Sequence, residues 1–333
     1  MSSINLKVIS FNVSGAGDLR NTAVKFESST NQKVSTQAQA ILTPGANVDE
    51  IYGSQMESYF TKLIELEQPD VLCLQELPRL SNLNKFEHAK LETVLKNHEY
   101  TLCLKQDTAI AYKTEKFDLV NEGSTVGSQS SAYFADLKEK ESGDVLRFVS
   151  DHPEYSDTGA ATLKNNVEFV DNFPVVSPFE RLWKKIVALF QKRSPNSIPN
   201  EDPISIIYGM DGNATRKIPG EAEKPEEIRT EWQPERLDIF SERKFVTDLS
   251  NNNPTLAFKA PQKIDHIFAK AIMPQTITMK HKVVAELNDP DMLTSPEILP
   301  ASDHLPVIYE ITVTPQESFK SLISACFRSI FKK

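Results

Sequence analysis

Ser302-Asp303-His304-Leu305-Pro306 runs straight into Val307-Ile308-Tyr309-Glu310-Ile311-Thr312-Val313, an alternating apolar stretch. The alternation predicts a half-buried strand. The Asp-His pair at its start pins two polar side chains to a rigid edge, which suits catalysis better than packing. One such triplet decides nothing, but four earlier strings repeat the pattern of polar residues after an apolar run. They are Phe11-Asn12, Leu74-Gln75-Glu76, Met210-Asp211-Gly212-Asn213 and Ile264-Asp265-His266. All fall at predicted strand ends, and together they gather carboxylates, carboxamides and imidazole.

The chain around them has an ordinary globular balance. Of 333 residues, 39% are hydrophobic and 25% charged, enough for a large core in one big domain or two. A formal net charge of −9 gives no general attraction to nucleic acid or anionic lipid. A polyanionic substrate would need a local basic rim or a metal ion. The three cysteines, Cys73, Cys103 and Cys326, lack metal-ligand spacing, and their odd number argues against a disulfide framework. Cys73 and Cys103 lie in apolar strand-like runs and read as buried thiols. Met1 to Lys7 enters a strand at once, without a cleavable signal sequence. No apolar run approaches the roughly 20 residues of a membrane span. The expected location is cytoplasmic, or outside the cell by a route that leaves no cleavable mark.

Periodicity divides the rest. Leu6 to Phe11 reads as a strand, and residues 13–50, rich in Ser, Thr, Asn, Gln and Gly, as a long polar loop. Met56, Tyr59, Phe60, Leu63 and Ile64 predict a helix over Tyr52 to Leu66. Val71 to Leu74 is a continuous apolar strand, and Phe86 to Leu95 a helix. Tyr100 to Leu104 and Thr108 to Tyr112 read as paired strands. Ser131 to Leu137 and Val145 to Ser150 form a hairpin, whose second strand delivers Asp151-His152. Pro178 to Lys192 predicts a core-facing helix. Ile204 to Tyr208, Lys263 to Ala269 and Leu305 to Val313 are further strands, with loops at 157–178 and 214–236. Strands alternating with helices, with hairpins and no internal repeat, predict one mixed-sheet α/β domain over residues 1–315.

The residue types point to phosphoester hydrolysis. That reaction needs charge neutralised on the phosphoryl oxygens, an oriented water and help for the leaving oxygen. Mg²⁺ serves the first need through one or two carboxylates while keeping several waters. A carboxamide binds a phosphoryl oxygen or a water without adding repulsive charge. An imidazole held by a carboxylate has a fixed tautomer, which suits proton transfer.

In order and spacing, VISFN (8–12), VLCLQEL (71–77), LRFVSDH (146–152), IIYGMDGN (206–213), KIDHIF (263–268) and ASDHLPV (301–307) resemble the endonuclease/exonuclease/phosphatase superfamily. DNase I-like nucleases, AP endonucleases, deadenylases, neutral sphingomyelinases and inositol polyphosphate 5-phosphatases share it. The resemblance spans about Ile4 to Val313 and implies a DNase I-like α/β fold: a four-layer sandwich of two mixed β-sheets flanked by helices. It also implies roles. Glu76 would hold Mg²⁺ (or Mn²⁺), with Asn12 and Asp303 contributing. Asp211 would orient or activate the attacking water, and Asn213 would hold the phosphate. Asp265 would fix His304, which steadies the developing charge. His152 would bind phosphate or assist the leaving group, and Gln75 would support Glu76.

Plainer readings stand beside these. Asn12 and Asn213 are also ordinary turn residues, Glu76 also reads as a surface carboxylate, and Asp265 counts only if it meets His304 in space. His88, His98, His266 and His281 read as structural or surface residues. Three departures from the family narrow the substrate. Ser14 stands where AP endonucleases carry an acidic residue, and Lys263-Ile264-Asp265-His266 lacks the Asp-Arg pair of the 5-phosphatases. Met210 also intervenes between Gly209 and Asp211 in the usual Gly-Asp string. The expectation is a metal-dependent phosphodiesterase or nuclease. The alternatives are a membrane-associated phosphoinositide or inositol phosphate phosphatase, a sphingomyelinase-like lipid phosphodiesterase, and a catalytically silent scaffold. The partner is then a phosphoester substrate, nucleic acid or phospholipid; no protein partner is predicted.

Residues 316–333 form a separate tail. Phe319, Leu322, Ile323, Cys326, Phe327, Ile330 and Phe331 make a helical stripe beside Lys320, Arg328, Lys332 and Lys333. Two readings are open: docking on the protein or another copy, or an interfacial membrane helix that would bring the chain to anionic headgroups.

Overall fold

Two sheets, each built around one parallel pair of strands, carry the molecule. The first has six strands in the spatial order β10 (Gln275–Lys282), β11 (Val307–Pro315), β1 (Ile4–Asn12), β2 (Val71–Gln75), β4 (Thr108–Lys113) and β3 (Tyr100–Lys105). The second has five, in the order β5 (Phe117–Ser124), β6 (Ser131–Glu139), β7 (Val145–His152), β8 (Pro203–Asp211) and β9 (Asp265–Ala271). β1 pairs parallel with β2, and β7 with β8, while every other pairing is antiparallel. The hairpins expected at β3–β4 and β6–β7 are present. The structure is a computed structural model and describes residues 3–13, 23–24, 26–29, 32–77, 85–125, 131–153, 159–172, 203–211, 234–248, 265–272, 275–282, 302, 304 and 306–315. The helix read at Pro178 to Lys192, the site candidates Asn213 and Asp303, and the tail at 316–333 lie outside the described residues.

Strand alternation sorts the core into layers. Leu6, Val8, Cys73, Leu146, Phe148, Ile207, Ile267 and Tyr309 fill the space between the sheets. The opposite parity of β1 and β2, Ile9, Phe11, Leu72 and Leu74, packs against α1 (Gln32–Leu42), α2 (Val48–Glu67) and α3 (Lys85–Asn97). Val149, Ile206 and Tyr208 pack against α4 (Gly159–Asn172) and α5 (Pro234–Glu242). Helix, sheet, sheet and helix make the four layers. Asn47 starts α2 by accepting the backbone N–H of Glu50, and Gln68 ends it in a left-handed conformation. Pro69 cannot continue a helix, so the chain turns through Asp70 into β2.

Some elements differ from the sequence reading. Residues 13–50 are not one loop: they contain α1 and the start of α2. The stretch 157–178 contains α4, and 234–242 is α5. α1 buries only Val34, Ala38 and Ile41, and the apolar positions buried on α4 are Leu163, Val167 and Val170. Three apolar positions at i, i+4 and i+7 make too narrow a stripe to stand out from a polar background. β5 and β10 are edge strands with largely exposed or half-buried side chains, so neither shows a strong apolar pattern. Cys103 is half-buried, whereas Cys73 is buried.

A charged pair is built into the layer between the five-stranded sheet and α4. Arg147 on β7 donates from Nε and Nη2 to the two carboxylate oxygens of Asp136 on β6, at 2.7 and 2.9 Å. Its Nη1 donates to the Val170 carbonyl of α4 at 2.9 Å. Both side chains are fully buried.

Toward one end of the inter-sheet layer, small and polar residues replace large apolar ones. Here Gly209 on β8 faces Ser10 and Cys73 so closely that a Cβ would stand 2.9 Å from Ser10 Oγ and 2.8 Å from Cys73 Cβ. Both neighbours belong to strands of the opposite sheet, so the overlap is relieved only by moving the sheets apart. Gly209→Ala is therefore expected to destabilise the fold by about 1–3 kcal/mol. Urea unfolding measures the loss, and a midpoint equal to wild type would show that the sheets accommodate the methyl group.

Candidate active site

Register brings the polar strand ends to one edge. Asn12 ends β1 opposite Gln75 of β2, and β11 runs antiparallel to β1 with Val307 opposite Ser10. His304, just before β11, therefore lies at the same edge as Asn12. In the other sheet Asp151 pairs with Met210, and Asp211 with Asp265, so the ends of β7 and β8 meet the start of β9. Parity then aims the side chains. Asn12 shares the face of Val8, His152 that of Phe148, Asp211 that of Ile207 and Asp265 that of Ile267. All four point into the gap between the sheets.

One carboxamide joins the two sheets. Asn12 Nδ2 donates to Glu76 Oε1 and to Asp211 Oδ2, each at 2.8 Å, and lies 3.4 Å from His304 Nε2. His304 Nδ1 stands 3.0 Å from Asp265 Oδ2 and 3.3 Å from its Oδ1. Asp265 as a carboxylate only accepts, so Nδ1 carries the proton and Nε2 faces Asn12 and Asp211; it lies 3.8 Å from Asp211 Oδ2. Ser302 holds the approach to β11: its hydroxyl donates to the Asn12 carbonyl at 2.8 Å and accepts the His304 backbone N–H at 3.0 Å.

Glu76 reaches this cluster through its backbone. Strict alternation after the inward-facing Gln75 would send Glu76 outward to the helices. Instead Glu76 adopts a left-handed φ of 55°, rare for a residue with a side chain and common at functional sites. Flanking backbone bonds hold that turn, Val13 N–H to the Gln75 carbonyl at 3.0 Å and Leu77 N–H to the Asp107 carbonyl at 2.9 Å. His152 Nε2 meets the same Oε1 of Glu76 at 3.1 Å. Burial opposes ionisation of Glu76, but hydrogen bonds from His152 and Asn12, with the charges of His152 and His304, hold its carboxyl down to about 2.

Asp107 belongs to the cluster although the sequence reading passed over it. It sits, buried, in the turn between β3 and β4, and its Oδ2 is 3.5 Å from His152 Nδ1. Burial alone would make His152 less basic; hydrogen bonds to Asp107 and Glu76 and the charges of Glu76 and Asp211 raise its pKa well above the ordinary value. His152 thus sits between two carboxylates that favour its protonated form. Asp211 shifts the other way for a carboxyl: burial and the negative charge of Asp265 raise its pKa, against the pull of His304 and His152. Nothing in Lys105-Gln106-Asp107-Thr108 separates Asp107 from an ordinary hairpin-turn aspartate.

The sequence predicts that Gln75 supports Glu76; the structure shows no direct bond between the two side chains. The Gln75 side chain turns into the inter-sheet layer and bonds Ser10, Ser150 and the Cys73 carbonyl. Asp151, of opposite parity to His152, faces the helical layer, where Asn166 of α4 donates to it at 2.9 Å and the Tyr208 hydroxyl also donates. His266 is buried beside Phe268. The structure therefore gathers Asn12, Glu76, His152, Asp211, Asp265 and His304 at one edge.

Comparison with solved structures places the architecture. ANGEL2, a 2′,3′-cyclic phosphatase in complex with adenosine-2′,3′-vanadate, superposes with a TM-score of 0.59 at 13% identity, covering 94% of this chain and 97% of that one. The catalytic domain of human Nocturnin with bound sulfate gives 0.51 at 14% identity, over 94% and 97% of the two chains. An endonuclease/exonuclease/phosphatase family protein of Bacteroides thetaiotaomicron gives 0.50 at 14% identity, over 95% and 100%. The fold is that of the endonuclease/exonuclease/phosphatase superfamily. No protein-family model matches the sequence, and no curated protein matches it. At such identity the endonuclease/exonuclease/phosphatase likeness establishes architecture; the chemistry rests on the side chains.

Those side chains fit a divalent cation. Glu76, His152 and Asp211 offer atoms within 4.8 Å of one another, as do Asp211, Asp265 and His304. The set is rich in hard oxygen donors, the kind that suit Mg²⁺ and Mn²⁺. Both hydrogen bonds of Glu76 fall on Oε1. Among the described residues Oε2 accepts none, and the side chain is 31% exposed, so a carboxylate oxygen faces the opening of the gap.

Proposed function

We propose that the protein is a divalent-metal-dependent phosphoester hydrolase, acting by preference on a phosphodiester of the nucleotide or nucleic-acid class. The observation that carries this reading is the Asn12 carboxamide, which ties Glu76 of one sheet to Asp211 of the other with His304 alongside. Glu76 would be the principal ligand of Mg²⁺ or Mn²⁺, with Asn12 beside it and Asp303 from the sequence reading. When bound, such an ion neutralises phosphoryl charge and polarises the ester.

The remaining work falls to the chain. Asp211, whose burial beside Asp265 raises its affinity for a proton, is suited to take one from the attacking water. His304, its Nδ1–H fixed by Asp265, presents Nε2 to the gap, and with a proton on Nε2 as well it would donate to the phosphoryl oxygen on which charge develops. His152, held between Glu76 and Asp107, is placed to donate to a phosphoryl or leaving oxygen. Asn213 would hold the scissile phosphate. The nucleotide preference draws support from ANGEL2, a structure of this fold described as a 2′,3′-cyclic phosphatase and bound to adenosine-2′,3′-vanadate.

The test is a substrate panel with Mg²⁺: single-stranded DNA, RNA, adenosine 2′,3′-cyclic phosphate, and sphingomyelin and phosphoinositides in vesicles. Turnover of a nucleotide-class phosphodiester is expected, lost on chelation and restored by Mg²⁺ or Mn²⁺. Turnover confined to the vesicle lipids would give the lipid phosphoesterase reading and implicate the 316–333 stripe in membrane contact. Absence of turnover across the panel would leave a binding scaffold.

A further inference from the structure

We propose that Gln75 is a positioning residue that sets the gap across which the two halves of the active site face each other. The inference rests on the hydrolase reading for its kinetic consequence, and on the inter-sheet contacts for its structural one.

Four residues form the floor beneath the site: Ser10, Gln75, Ser150 and Gly209. Ser10 lies two positions before Asn12, Gln75 one before Glu76, Ser150 two before His152 and Gly209 two before Asp211. Four of the six site residues thus stand on a neighbour in the floor. Gln75 is fully buried and is the one long side chain of the four. Its Nε2 reaches Ser150 Oγ at 3.0 Å, Ser10 Oγ at 3.2 Å and the Cys73 carbonyl at 3.2 Å. Its Oε1 accepts from Ser10 Oγ at 3.4 Å. The Ser150 hydroxyl in turn donates to the Leu74 carbonyl at 2.7 Å. Both contacts of Ser150 on β7 therefore cross to β2 of the other sheet, and Gln75 carries its share on to Ser10 of β1, its neighbour in that sheet.

An apolar layer there would fix a packing distance but no direction, because dispersion contacts are not directional. A buried carboxamide fixes both: its donors must stay within hydrogen-bond reach, since an unmade buried bond is costly. The 3.1 Å contact of His152 with Glu76 and the 2.8 Å contact of Asn12 with Asp211 both cross the gap this bridge spans. Misplacement of reacting groups by about 1 Å lowers rates about 10²-fold, and loss of groups that orient a metal ligand weakens metal affinity about 10- to 100-fold.

The experiment compares Gln75→Met, similar in length and without hydrogen bonds, with Ser150→Ala, a milder change that keeps the site readable if Gln75→Met fails to fold. Ser205→Ala is the control. It removes another bond between the sheets, the half-buried contact of Ser205 Oγ with Gln275 Oε1 at 3.1 Å, at the far end of β8 from the site. Three readouts apply to each folded protein: kcat and KM, Mn²⁺ affinity by electron paramagnetic resonance, and ring ¹⁵N chemical shifts of the six histidines without metal. Gln75→Met is expected to lower kcat about 10- to 100-fold with little change in KM, to weaken Mn²⁺ binding about 10-fold, and to move the His152 and His304 ring signals while leaving the other four in place. Ser150→Ala, which removes both hydrogen bonds of that hydroxyl across the gap, should move the same three readouts, and Ser205→Ala should move none of them. Ring signals of His152 and His304 that stay at wild-type positions in Gln75→Met or, should that variant not fold, in Ser150→Ala overturn the positioning role. A wild-type protein that neither binds Mn²⁺ nor turns over substrate overturns the hydrolase reading instead, and the ring shifts then judge Gln75 alone.

Discussion

Replacing His304 by Ala is expected to lower kcat about 10³- to 10⁴-fold while the protein stays folded. The size follows from what the side chain does in the proposed mechanism. His304 is held at Nδ1 by Asp265 and presents Nε2 within 3.4 Å of Asn12 Nδ2 and 3.8 Å of Asp211 Oδ2. Its position depends on both sheets at once: its backbone precedes β11 in one, and its Asp265 partner begins β9 in the other. Asp265→Asn should reproduce much of the loss, about 10²-fold or more, because an amide can donate to Nδ1 and favour the wrong tautomer. The double variant should then be hardly worse than His304→Ala, since residues acting as one unit are strongly non-additive. Single-turnover kinetics on the best panel substrate measures all three. A His304→Ala enzyme within about tenfold of wild type would remove His304 from the reaction.

Much of this arrangement can be read from the chain, because strand periodicity leaves a clear trace. Asn12, Asp211 and Asp265 share parity with Val8, Ile207 and Ile267, so period 2 assigns each to one face of its strand, and the packing of the two sheets makes that face the inner one. His304 follows from the buried strand it introduces. What stayed hidden depends on backbone angles or on contacts between distant segments. The left-handed turn at Glu76 reverses the facing that alternation implies, which is why Gln75 looked like a helper of Glu76 and turned out to bond the opposite sheet. Asp107 is invisible for the second reason: only the pairing of β2 with β4, with Leu74 opposite Ala109, brings that turn beneath His152. α1 and α4 were obscured by composition, since their short buried stripes lie among Ser, Thr, Asn and Gln.

The largest loss of stability is expected from Asp136→Ala, about 3–5 kcal/mol, a large part of the roughly 5–15 kcal/mol that holds a typical domain together. Arg147 cannot escape to water in that variant. Its guanidinium is fully buried, lies 4.5 Å from the Phe134 ring centre, and loses the carboxylate that accepts from both its Nε and its Nη2. Asp136 in turn accepts from Asn121 Nδ2 at 3.2 Å, so the edge strand β5 loses an anchor as well. The cost reflects a stranded charge rather than the net worth of the pair. Replacing both residues by apolar ones of similar size, Asp136→Leu with Arg147→Met, should therefore recover most of the loss. Urea unfolding of the two single variants and the double variant gives the coupling directly. An Asp136→Ala midpoint within about 1 kcal/mol of wild type would mean that water reaches Arg147 and the pair is effectively a surface contact. Arg147 shares the parity of Asp151, not of His152, and faces α4. The folded fraction of every variant in this series should therefore keep the wild-type kcat, which separates the scaffold of the sheet from the chemistry at its edge.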